Sequence, residues 1–177
     1  MTNRQQQYWL LKSEPEAFSI EDLTHCPQQT TAWDGVRNYQ ARNYLRAMKV
    51  GDQALFYHSN AAPPSVVGIV EVVKGAYPDE TQFNKRDSHY DPASDPDKPR
   101  WNAVDIRLVR QFSASLSLDF LRERGGLKEM ELLRKGSRLS VQPVREAEWN
   151  EILRLADRAG HEASGQKAPD EKRRRDR

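Results

Sequence analysis

The chain has 177 residues, 37% of them hydrophobic, which suits one compact domain with its own core and is too short for two. A single cysteine, Cys26, excludes a disulfide framework and a cysteine-based zinc finger, and no apolar run approaches the length of a bilayer span. The net charge of +2 hides an asymmetry: residues 166–177 hold six Lys or Arg against three Asp or Glu, so the first 165 residues carry −1, which excludes a broadly cationic, sequence-independent nucleic-acid binder.

The polar lead over residues 1–7 lacks the apolar core of a secretory signal, so a soluble cytoplasmic protein is expected, with nucleoid association compatible. Residues 8–12 (Tyr-Trp-Leu-Leu-Lys) predict a buried first strand that Pro15 stops, leaving Lys12, Ser13 and Glu14 at its end. Ser19, with an acid three residues later, predicts a capping-box start for a short helix closed by Pro27. Cys26 is adjacent to His25, but consecutive residues on a helix point apart, which argues against a thiol nucleophile.

Residues 33–43 read Trp-Asp-Gly-Val-Arg-Asn-Tyr-Gln-Ala-Arg-Asn. Trp33 offers a stacking face, Asn38 and Gln40 offer paired donors and acceptors, and Arg37, Arg42 and Arg46 offer anion contacts. That set suits a nucleobase with its backbone; the same residue types also suit an ordinary loop followed by a solvated helix. Trp33-Asp34-Gly35 reads as a turn, and Asn38 as the N-cap of a helix whose apolar face is Ala41, Tyr44, Leu45 and Met48. Over residues 33–49 four cations face only Asp34, so anionic contact is expected to concentrate there.

A second strand, residues 53–57, ends in Tyr57, His58, Ser59 and Asn60, which either line a pocket or serve as turn formers. Residues 65–74, rich in β-branched side chains, predict a central strand with a bulge or bend at Gly68. Residues 77–99 form a long irregular stretch, which favours a functional or pocket-covering role; His89 has no close-spaced partner, so no metal site is expected. Alternation of Val104, Ile106 and Leu108 predicts another strand, Ser117 caps a helix, and Leu127, Met130 and Leu133 suggest a further one. A short strand over 137–144 precedes a final helix with Trp149, Ile152, Leu153 and Ala156 on one stripe, Trp149 serving packing. The expected organisation is a domain over 8–158 followed by a charged, disordered tail over 159–177. About five strands with short helices and no βαβ rhythm indicate an α+β fold, best fitted by a small, partly closed β-barrel.

Four blocks in order carry a family resemblance: residues 8–15 (Tyr-Trp-Leu-Leu-Lys-Ser-Glu-Pro), 33–43, 56–60 (Phe-Tyr-His-Ser-Asn) and 138–143 (Arg-Leu-Ser-Val-Gln-Pro). Together they resemble the EVE domain family, with similarity over roughly residues 8–155. The resemblance implies a PUA-like fold related to the PUA, ASCH and YTH domains, and a non-catalytic reader of a modified base of the 5-methylcytosine type, in DNA or RNA, extracted from its stack. It implies as partner a short nucleic-acid segment or nucleotide, with no cofactor and no membrane; oligomeric state is left open. By the matched blocks, Lys12, Ser13 and Glu14 stand at the pocket rim, Trp33 is the stacking wall, Asn38, Tyr39 and Gln40 contact the base, and Tyr57, His58, Ser59 and Asn60 lie opposite. Arg37, Arg42 and Arg46 grip flanking phosphates. The alternative is a small nucleoside-processing enzyme of ASCH-like type using Lys12, Glu14 and Tyr57; the chain offers no nucleophile–base pair or metal set for it.

Overall fold

The computed structural model describes residues 4–165. Six strands form one mixed sheet: β1 (Tyr8–Ser13), β2 (Thr30–Trp33), β3 (Gln53–His58), β4 (Ser65–Pro78), β5 (Asn102–Ser117) and β6 (Val141–Val144), in the order β2-β5-β4-β3-β1-β6. Only the β1–β3 pair is parallel. The expected count of about five strands is therefore corrected to six, and the sheet is open, because β2 and β6 occupy its two edges. The added strand is β2, where a turn was expected from Trp33; its four residues pair in register with residues 104–107 of β5. Four helices complete the architecture: α1 (Ile20–His25), α2 (Tyr39–Ala47), α3 (Leu118–Arg122) and α4 (Glu146–Gly165). Helix α2 packs against β4 and β5 on one side and β6 on the other, so the sheet curls around it.

Strand alternation divides the core between the two faces of the sheet. Trp9, Leu11, Ala54 and Phe56 point towards α1 and α2, whereas Leu10, Leu55 and Tyr57 point towards α3 and α4. Each helix closes its face with an apolar stripe: Leu45 of α2 and Ile152 of α4 are fully buried, and Trp149 stacks on Tyr8 with ring centroids 4.4 Å apart. Ser19 and Asp22 form the expected capping box on α1, and the Asn38 side chain accepts from Ala41 N–H at 2.9 Å to start α2. The wholly buried Asp52 ties the start of β3 to β1 and to the end of α2, accepting from Trp9 Nε1 and Lys49 N–H, both at 3.1 Å. At Gly68 the β3–β4 and β4–β5 registers shift, and a Cβ there would lie 2.4 Å from the Arg110 carbonyl oxygen.

Two local expectations give way to tertiary context. Residues 125–133 form two short 3-10 turns, Gly125–Leu127 and Glu131–Leu133, where a helix was suggested; Leu127, Met130 and Leu132 are nevertheless buried. Helix α4 continues to Gly165, past the start of the expected tail at 159, and residues 166–177 lie outside the described part of the chain. Among the described residues, no helix is long and apolar enough to cross a membrane.

Candidate nucleic-acid interface

A cavity of about 650 Å³ opens beside the end of β1, a size within the ordinary range for ligand pockets. Its walls come from four separate pieces of chain: Lys12, Ser13, Glu14, Ala17 and Phe18 from the end of β1 onward; residues 31–38 from β2 to the start of α2; His89; and Ser140. Trp33 forms part of the floor. Its ring is mostly enclosed, at 7% exposure, and stands edge-on to Phe56 at 5.5 Å and to Phe18 at 6.5 Å between centroids. Trp33 is thus a core side chain with one border on the cavity, held in orientation by two other rings.

The loop from Asp34 to Arg37 is fixed by one carboxylate. Asp79, 1% exposed, accepts from Gly35 N–H at 2.8 Å and Arg37 Nη1 at 2.9 Å through Oδ2, and from Thr81 N–H and Oγ1 through Oδ1. Burial alone would raise this carboxyl, but the hydrogen bonds from Thr81, Arg37 and Gly35 outweigh it and hold the group below the usual carboxylate value. Gly35 has φ +75°, and a Cβ on it would come within 2.8 Å of the His89 ring, so the residue 77–99 stretch seats directly on the turn. That stretch does border the cavity, as its length suggested.

The guanidinium of Arg37 is fully engaged. Besides Asp79 it donates to Thr81 Oγ1 and to the carbonyls of His89 and Val36, and it lies 5.4 Å from the Trp101 ring. With its donors so engaged, Arg37 braces the cavity wall. Arg42 and Arg46 differ. They sit on the outer side of α2: half-buried Arg42 covers the Tyr39 ring at 4.8 Å and donates to Asn43 Oδ1 and the Arg100 carbonyl, and exposed Arg46 donates to Asn102 Oδ1 and the Arg100 carbonyl. Tyr39 stacks in turn on Trp101, with centroids 4.9 Å apart, and remains 53% exposed.

The expected opposite wall is elsewhere. Tyr57, His58, Ser59 and Asn60 do not line the cavity. Alternation sends Tyr57 to the α3 and α4 face, away from Phe56 and Trp33, and burial raises its phenol above the ordinary value, which disfavours acid–base work. His58 Nε2 accepts from Ile20 N–H at 3.1 Å, which requires the neutral ring; burial lowers its pKa, against an opposing pull from Glu21. Ser59 N–H donates to the Ser13 carbonyl, and Asn60 takes a left-handed φ of +49°, so these two perform the turn-forming role. Gln40 and Tyr39 are also outside the cavity; Gln40 is exposed and contacts the Tyr44 hydroxyl at 3.4 Å. Lys12, Ser13, Glu14, Trp33, Asn38 and Arg37 are the expected site residues that the fold brings together.

Burial lowers the pKa of Lys12, with Glu131 pulling it back up. Asp34 goes the other way: burial raises it, Asp79 and Asp87 add to the rise, and His89 opposes them. Asp34 is exposed and lines the cavity. Phe18, Asp34, His89 and Ser140 are cavity-lining residues beyond the expected set; Asp34 and Ser140 lie inside the matched blocks, Phe18 lies just past the first block, and the signal for His89 is the length of its loop.

A family model described as "EVE domain" matches residues 7–155. The chain belongs to the EVE domain family. The match takes in every cavity-lining residue. The chain is 51% identical over 167 residues to thymocyte nuclear protein 1 of Rattus norvegicus, covering 85% of this chain and 74% of that protein. Among solved structures, the fold resembles human THYN1 protein in complex with 5-methylcytosine containing DNA, with TM-score 0.81 and 47% identity over 85% of this chain and 97% of that one. It equally resembles a Pseudomonas putida protein, with TM-score 0.81 and 46% identity over 84% of this chain and 99% of that one.

Proposed function

We propose that this EVE domain is a non-catalytic binding module for a modified nucleobase of the 5-methylcytosine type, in DNA or RNA, and that the base leaves its stack to occupy the cavity beside Trp33. The observation that carries the reading is the cavity itself: an aromatic border, an apolar wall at Phe18 and Val36, and polar groups at Lys12, Asn38, Asp34 and Ser140 line one space of about 650 Å³, ample for an extruded base. The resemblance to THYN1, whose structure contains 5-methylcytosine DNA, supports that ligand class. The curled sheet is read as a PUA-like fold, and the protein as cytoplasmic, where nucleic acid is at hand.

In this mechanism the cavity supplies the selective part of binding. Stacking against one aromatic ring contributes about 1–3 kcal/mol, so Trp33 holds the extruded base without supplying the whole affinity. Arg42 and Arg46 attract flanking phosphates from the exposed side of α2, and exposed Tyr39 offers a neighbouring base a stacking surface. Arg37 contributes indirectly by keeping the loop rigid.

The test is a titration of the full chain against single-stranded and duplex oligonucleotides identical except for one methylated cytosine, read by fluorescence anisotropy. Tighter binding of the methylated strand is expected, by about fivefold or more. Ala17→Trp, which fills the cavity from its exposed rim, is expected to remove the preference while leaving thermal stability unchanged. Equal affinity of the unmutated protein for methylated and plain strands refutes the reading.

A further inference from the structure

A cavity that accepts 5-methylcytosine faces a selectivity problem that shape cannot solve. Thymine carries the same methyl group on the same ring and differs on the pairing edge: position 4 bears a carbonyl acceptor in thymine and an amine donor in cytosine, and N3 switches from donor to acceptor. Thymine can be rejected by a donor aimed at N3 and, independently, by an acceptor group at the cavity wall aimed at position 4. We infer that Asp34 is this group, a specificity-determining residue whose carboxylate accepts from the exocyclic amine and excludes bases with an oxygen there.

The inference rests on the base-binding role proposed above and on the state of the other polar groups. Asn38 Oδ1 is occupied by Ala41 N–H, which leaves its amide N–H groups as donors and suits them to the ring acceptors N3 and O2. The Ser13 hydroxyl donates to the Phe18 carbonyl at 2.5 Å. Every direction of the Arg37 fork is taken. Asp34, by contrast, lines the cavity and accepts no side-chain hydrogen bond from another described residue, and it forms none of the ion pairs among them. It is flanked by Trp33, whose ring is fixed by Phe18 and Phe56, and by Gly35, whose N–H is anchored on Asp79. A reading group must be held in place to discriminate, and this backbone is held from both sides.

Glu14 is the other carboxylate at the cavity, and it is less suited. Both carboxylates are exposed and both backbones are anchored, Glu14 through a carbonyl that accepts from Ala17 and Phe18 N–H; what separates them is that Asp34 directly follows the stacking residue, whereas Glu14 sits at the strand end beside Pro15. An ionised carboxylate next to a thymine O4 faces a second acceptor and is repelled, whereas the cytosine amine supplies the proton it needs. The same rule extends the ligand class: other cytosine derivatives that keep the amine are admitted, and uracil derivatives are refused.

The experiment compares the full chain with Asp34→Asn on four single-stranded oligonucleotides that differ at one position, carrying 5-methylcytosine, cytosine, thymine or uracil, with affinity read by anisotropy and folding by thermal denaturation. The unmutated protein is expected to prefer 5-methylcytosine over thymine by about tenfold or more, and Asp34→Asn, which keeps the size and adds an N–H donor for O4, to shrink that ratio to about threefold or less. Glu14→Gln is expected to leave the ratio intact. An unchanged ratio in a folded Asp34→Asn protein, or a collapse in Glu14→Gln instead, overturns the inference while a retained preference for 5-methylcytosine over cytosine leaves the base-binding role standing. If the unmutated protein fails to separate 5-methylcytosine from cytosine, the base-binding role falls and the inference with it.

Discussion

Residues 33–38 and residues 57–60 each place an aromatic ring and an amide at or just past the end of a strand, yet only the first group borders the cavity. The difference is parity and anchoring. Phe56 points to the face that holds Trp33, so Tyr57 must point to the other, and the residues that follow are spent on the β3–β4 turn and on holding α1. The first group is instead followed by a loop whose N–H and guanidinium groups converge on the buried Asp79. Chemical composition nominated both segments equally; a single step in strand alternation separates them.

The contrast can be broken most severely at Asp79. Asp79→Ala leaves Gly35 N–H, Arg37 and Thr81 without their shared acceptor, and is expected to lower stability by about 3 kcal/mol and to abolish base preference, measured by denaturant titration and oligonucleotide binding. Because the folded carboxyl lies below its ordinary value, this stabilisation is present at neutral pH and is lost as pH falls from the ordinary carboxylate range through the lowered folded value. Arg42→Ala is a milder change. It should weaken methylated and plain strands alike, by about three- to tenfold, and reduce the salt slope of binding by about one.

The smallest effect should come from the second segment and should spare binding altogether. Neutral His58 accepts from α1, and its folded pKa lies below the ordinary 6.5. As pH drops through 6.5 the unfolded chain takes up a proton before the folded one does, so stability declines. His58→Gln is expected to flatten that part of the pH–stability curve, with oligonucleotide affinities at pH 7.5 unchanged; a lost base preference would return residues 57–60 to the site.

Legibility in the sequence followed the range of the forces involved. The capping box at Ser19, the Asn38 cap, the stripe of α4 and the bulge at Gly68 are set by neighbouring residues or by a local steric demand, and each appears where periodicity and residue type put it. Strand β2 is hard to read because its four residues, Thr-Thr-Ala-Trp, are too few to show an alternation and run straight into Asp34-Gly35, which reads as a turn; the pairing with β5 makes the strand. Sheet closure was overestimated for a similar reason: strand count does not reveal which strands stand at the edges. The cavity draws Trp33 and the end of β1 from the matched blocks. The internal engagement of Arg37 is not legible in the sequence, because its partner, Asp79, lies 42 residues away and looks like one more acid in an irregular stretch.

The seating of His89 on Gly35 has a practical meaning for anyone wishing to move this site elsewhere. The turn keeps its shape only with Asp79 beneath it and the imidazole against it, and the facing wall comes from the far end of β1. A peptide spanning residues 33–43, or a graft of it onto another scaffold, carries the most conspicuous letters of the chain and none of the cavity. The portable unit is the assembled domain.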